Sequence, residues 1–232
     1  MPKAILISIK PEWCEKILNG EKTIEIRKTM PKCGFPIDVY IYCTKAEPYL
    51  YGCFGENETG GGFGYTTSYC PTEDENTLDR TENLNGKVVA KFTLNKAEKI
   101  SCCAVPYKKA NNLGYEGFID NGVYQLENDD GLVFERDNIG IETMLKNDDF
   151  EKMQLKPRDI YNYLGGYGKF YSWHIDNLEI FDKPKELSEF KQVKYEPIPH
   201  TWIKGMKVTK KEIPVWKPIT KAPQSWCYVE VE

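Results

Sequence analysis

Gly20-Glu21-Lys22-Thr23-Ile24-Glu25-Ile26-Arg27 gathers a lysine, a glutamate and an arginine into one short stretch of the chain. An arginine presents a planar fork to a phosphate or a base edge, and a lysine a compact positive charge. A glutamate accepts hydrogen bonds from exocyclic amines or holds the arginine in place. Together these groups can neutralise a phosphate or read a polar base. The same spacing also describes an ordinary surface ion pair between Glu25 and Arg27, worth at most about 1 kcal/mol. Spacing alone leaves both readings open. Further along, Tyr42, Trp173 and Trp226 offer flat rings, the usual platforms for unpaired bases, and His174 a titratable ring beside Trp173. Trp173 equally suits a core, His174 a structural hydrogen bond, and Lys10 ordinary solvated charge.

The elements that must position these groups follow from local pattern. Residues 3–9 are an apolar, β-rich run, and Pro11 to Gly20 has proline at a first helical position and glycine at the stop. That helix should turn Trp13, Ile17 and Leu18 inward. Residues 23–28 alternate, so a strand there buries Ile24 and Ile26 and presents Thr23, Glu25 and Arg27 on its other face. Strands are expected over 37–44 and 87–94, a helix over 157–166, and strand character again from Phe170 to Ile175 and from Leu178 to Phe181.

Between these lie two acidic segments. Residues 46–86 carry eight acidic residues against one arginine and include Gly60-Gly61-Gly62-Phe63-Gly64, which suits a flexible loop or hairpin outside the core. The glycines do not lead from a strand into a helix, which speaks against a nucleotide-phosphate loop. Residues 116–152 carry eleven acidic residues against three basic ones, with a hairpin turn at Glu127 to Gly131 between Val123 to Leu126 and Leu132 to Glu135. From Lys183 onward ten lysines face six glutamates among many prolines, which reads as a tail of little regular structure. Its aromatic end, Pro223 to Val231, would be costly to leave in water and should dock back.

The 232 residues suffice for one sizeable core with insertions, and 41% hydrophobic against 28% charged residues is ordinary for a soluble chain. No apolar run approaches the roughly 20 residues a membrane helix needs. The first ten residues read as a strand rather than an export signal, so a cytoplasmic location is expected. A net charge of −4 argues against coating duplex nucleic acid but leaves room for a small basic groove. Eight cysteines without a CxxC pair read as thiols; Cys43, Cys53, Cys70, Cys102 and Cys103 would bind zinc only if the fold gathered them, and no metal or cofactor is expected.

The pattern GxKxxExR, formed by Gly20, Lys22, Glu25 and Arg27 after the strand ending Leu6-Ile7-Ser8-Ile9-Lys10-Pro11, resembles the signature of ASCH domains in the PUA-like superfamily. Val39 to Thr44, Lys87 to Leu94, Ser172 to Leu178 and Pro223 to Tyr228 resemble later segments of the ASCH proteins common in prophages. The resemblance implies an α+β fold, a PUA-like small β-barrel with flanking helices. In this chain it would be a domain over 1–182 with insertions at about 46–86 and 111–152, followed by a docking tail over 183–232. It implies a module that binds RNA or a modified nucleotide in a cleft at the motif, with Lys10, Lys22, Glu25, Arg27, Tyr42, Trp173, His174 and Trp226 as candidate ligand residues. An alternative is a hydrolase, of nucleoside amidohydrolase or ribonuclease type, using Lys22 and Glu25 with Arg27. Glu25 stands where the amidohydrolase group has its threonine, so that group's mechanism does not transfer directly. A second alternative is a protein-interaction factor working through the acidic insertions.

Overall fold

A computed structural model describes residues 4–57, 60–69, 79–106, 123–125, 130–136, 145, 147–197 and 212–231. Among the described residues, fifteen strands and three α-helices give a predominantly β, α+β architecture. No helix among the described residues is long and apolar enough to cross a membrane. The chain divides into two compact units, one made of Met1–Glu15, Ile37–Phe92 and Leu178–Glu232, the other of Lys16–Pro36 and Thr93–Asn177.

The first unit contains a seven-stranded sheet. Its strands are β1 (Ala4–Ile9), β3 (Ile37–Cys43), β7 (Val88–Leu94), β12 (Asp176–Lys185), β13 (Phe190–Pro197), β14 (Glu212–Pro218) and β15 (Trp226–Val231), in the order β12-β7-β3-β1-β15-β13-β14. The apolar runs expected at 3–9, 37–44 and 87–94 thus lie side by side near its centre, and Leu6, Ile41, Val88 and Val229 are fully buried there. β1 and β3 are parallel, which requires the crossover that α1 (Pro11–Leu18) and the following strand provide. In α1 Cys14, Ile17 and Leu18 are buried, while Trp13 is only partly so.

The segment from Lys183 is more regular than its prolines and lysines suggest. β15 pairs antiparallel with β1 from Ala4 opposite Val229 to Ile7 opposite Trp226. β13 and β14 add a paired ribbon beside it. The prolines are tolerated because Pro214 and Pro218 sit on the terminal strand of the sheet, where one side needs no donor.

A three-stranded sheet is made of β4 (Tyr49–Asn57), β5 (Gly60–Ser68) and β6 (Asp79–Asn83), with β4 in the middle. It takes up much of 46–86 and corrects the flexible-loop reading of the glycines, which are strand-paired from Asn57 opposite Gly60 to Cys53 opposite Gly64. Leu50, Tyr65 and Leu84 are buried. Glu15 of α1 accepts hydrogen bonds from the Thr67 amide (3.0 Å) and hydroxyl (2.9 Å), fixing β5.

The second unit is built on a five-stranded sheet. Its strands are β2 (Ile24–Arg27), β8 (Ala97–Pro106), β9 (Val123–Gln125), β10 (Asp130–Arg136) and β11 (Gly168–His174), in the order β2-β11-β8-β10-β9. β9 and β10 form the expected hairpin, Gly131 opposite Gln125, and β10 continues onto β8. The turn between them, and most of 111–146, lies outside the described residues. Two helices, α2 (Asn147–Met153) and α3 (Pro157–Leu164), pack Phe150, Met153 and Ile160 against Ile24, Ile26, Ile100 and Phe170. α3 starts at Pro157 and ends on Gly165, whose φ of +80° is the left-handed cap conformation; its N–H meets the Tyr161 and Asn162 carbonyls.

Among the described residues these strands form three open sheets rather than a closed barrel. The reason lies in pairing: β2 and β8 join β11 in the second unit, while β1, β3 and β7 pair among themselves and with the C-terminal strands.

Candidate functional site

β2 pairs antiparallel with β11, Glu25 opposite Trp173, Ile26 opposite Ser172 and Arg27 opposite Tyr171. Alternation sets Glu25, Arg27, Trp173 and Tyr171 on one face and Ile24, Ile26 and His174 on the other. The apolar face packs as expected. The polar face does not behave as the alternation suggests: Glu25 is 5% and Arg27 8% exposed, and Lys22, just before the strand, only 2%. The surface ion-pair reading is therefore corrected to a buried ionic network.

Its geometry is a chain of charges. The Lys22 ammonium lies 3.3 Å from Glu25 Oε2 and donates to the Met153 carbonyl at the C-terminal end of α2, where a cation is favoured. Glu25 Oε1 accepts from Arg27 Nη1, which also donates to the Ile26 carbonyl at 2.8 Å. The Thr23 amide, bonded to the Lys152 carbonyl at 2.9 Å, fixes the turn that brings Lys22 inward. Burial pushes the Lys22 ammonium below its ordinary pKa, and the Glu25 carboxylate opposes that shift.

Tyr163 joins this network. It is 41% exposed, and its hydroxyl is pushed up chiefly by desolvation, while Arg27 draws it down and Glu25 raises it. The Lys28 ammonium lies 5.1 Å from the centre of its ring. The motif gives no hint of Tyr163. The only signal is the spacing within α3, where Ile160 is buried and Tyr163 follows three residues later on the same side. The Met153 carbonyl, a backbone group, has none.

The remaining candidates divide between the two units. Trp173 is fully buried, so its ring has no face open to solvent. His174, on the opposite sheet face from Glu25, places Nε2 2.9 Å from Glu98 Oε2, and Lys96 reaches Glu98 Oε1 at 3.0 Å. That is the geometry of a structural histidine. Lys10, Tyr42 and Trp226 belong to the first unit. Lys10 has a side chain 67% exposed and 3.9 Å from Glu12; Tyr42 is buried in the core; Trp226 meets Tyr228 edge-on at 5.4 Å. Of the cysteines named for zinc, Cys43 and Cys102 are buried thiols, while the side chains of Cys53, Cys70 and Cys103 lie outside the described residues. No cluster of metal-ligating side chains occurs among the described residues.

No protein-family model matches the chain, and no curated protein matches it. Among solved structures, the crystal structure of ASCH from Zymomonas mobilis is similar at 13% identity and a TM-score of 0.42, covering 98% of this chain and 88% of that one. A tyrosine-to-phenylalanine mutant of the same protein is similar at 12% identity and a TM-score of 0.36, with 98% and 91% covered. Its serine-to-alanine mutant is similar at 14% identity and 0.32, with 99% and 92% covered.

Proposed function

We propose that this chain is an ASCH-type module that binds RNA or a modified nucleotide at its GxKxxExR motif, with Lys22, Glu25 and Arg27 as the polar contacts. The observation that carries the reading is the burial of an ionic network in a fold that had a more stabilising choice. Taking charges out of water costs several kcal/mol per ion, and well-packed apolar residues in their place are often as stable or more so by roughly 1–4 kcal/mol. A network kept at that cost suits groups held ready for a polar ligand. Arg27, at the margin of burial, supplies the planar fork, Glu25 orients it and Lys22 holds Glu25. Tyr163 takes the stacking role that Trp173 cannot fill while its ring is fully covered.

Nucleotides and RNA fragments co-purifying with the wild-type protein should be identified by mass spectrometry and re-bound to fresh protein. Arg27→Ala should lose the bound species, and Tyr163→Ala should weaken it about tenfold, the scale of one base–aromatic stack, with Tyr163→Phe near wild type. Retention of the same species by Arg27→Ala would defeat the assignment.

One observation favours the hydrolase alternative. A lysine whose pKa is lowered by burial beside a carboxylate is a recurrent feature of catalytic sites. Lys22 would then supply charge to the reacting group and Glu25 would move the proton. Conversion of the re-bound species by wild type and not by Lys22→Met would place this reading first.

A further inference from the structure

We propose that the first unit carries its own binding site, for a phosphomonoester of mononucleotide size. It is a cleft of about 880 Å³, within the range of small-molecule sites, at the ends of β1 and β3 and beside the segment leading into β15. Lys10, Lys45 and Lys221 stand around it with Glu186 as the acidic lining residue, and Glu186 is engaged by Lys87 at 3.5 Å. Three lysines suit a phosphate dianion, which takes point charges from several directions. Leu187, Ala222 and Pro223, all partly exposed, add an apolar wall against which a flat ring would lie.

The walls are fixed by hydrogen bonds. On one side the Asn85 carboxamide donates to the Ala46 (2.7 Å) and Pro48 (3.2 Å) carbonyls and accepts from the Leu50 amide (2.8 Å). On the other, the Ser8 hydroxyl donates to the Pro223 carbonyl at 2.6 Å, and the Ile219 amide to the Phe190 carbonyl at 2.8 Å. The Lys45 side chain passes close over Gly86. A Cβ on Gly86 would fall 2.7 Å from Lys45 Cε, and the φ of +86° there independently favours glycine.

The test is calorimetric titration of the whole protein with the four common ribonucleoside 5′-monophosphates, the matching nucleosides and inorganic phosphate. At least one monophosphate should bind at least tenfold more tightly than its nucleoside, and more weakly as salt rises. Lys45→Glu and Lys221→Glu, both at exposed positions, should each weaken it about tenfold without altering thermal unfolding. Failure of all four monophosphates to bind, equal binding of nucleoside and monophosphate, or indifference to both charge reversals would overturn the proposal. Arg27→Ala serves to separate the sites: a monophosphate lost with Arg27→Ala and kept with Lys45→Glu belongs to the Lys22 network and likewise overturns it.

Discussion

Lys22, Glu25 and Arg27 are arranged so that one carboxylate stands between two cations. This makes the three positions unequal. Glu25→Gln leaves an ammonium and a guanidinium facing each other in a buried space and should destabilise the protein by about 3 kcal/mol or more. Lys22→Met leaves the Glu25–Arg27 pair intact and should stay within about 1 kcal/mol of wild type at neutral pH. The pH dependence has a definite sign. In the unfolded chain Lys22 titrates near 10.5 and in the folded protein below that value. Between the two, the unfolded state holds the proton more fully, so stability rises with pH across this window; below the folded value the penalty is constant. Wild type should therefore gain stability relative to Lys22→Met as pH climbs toward 10.5 from below the folded-state value in urea titrations. Parallel profiles would show that Lys22 is not under desolvation pressure.

At the level of elements, α3 offers the clearest test. Gly165 caps it in the left-handed conformation with nothing within 4 Å of where a Cβ would stand, so its role is conformational rather than steric. Gly165→Ala should cost about 1 kcal/mol, and Gly165→Asn less, by chemical denaturation. If both match wild type, the cap is not strained. This helix is legible in the sequence because Pro157 and the glycine pair are local signals, and β2 is legible because its alternation is local. That its polar face is covered is not, since the Lys22 partner Met153 lies far along the chain. The strand nature of Gly60 to Gly64 is hidden for a related reason: glycine carries no β-preference, and only pairing with β4 makes it a strand. Trp173 and His174 are adjacent in sequence and so suggest one site, yet the alternation of a strand sends such neighbours to opposite faces.

At the level of the whole chain, the seven-stranded sheet takes its central strands from both ends of the sequence, with β15 between β1 and β13. Composition indicates that residues 223–231 dock but not where, because prolines and lysines in β13 and β14 conceal their pairing. Deleting residues 224–232 should leave β1 without its antiparallel partner and Leu6, Phe190 and Val88 without the Val229 side of their cluster. The truncated protein should lose near-ultraviolet circular dichroism and become sensitive to proteolysis. A truncated chain that kept both properties would mean that β15 is an addition to the sheet rather than part of its centre.

The pairing of Ala4 with Val229 also bears on how the chain is made. β1 is translated before the other described strands of its sheet, and β15, the strand that covers one of its edges, after all of them. Through that interval β1 offers an unpaired, strongly apolar edge, the kind of surface that recruits chaperones or associates with other nascent chains. Synthesis that stops early therefore yields a product whose sheet cannot be completed, and such a product is exposed to degradation before it can bind anything.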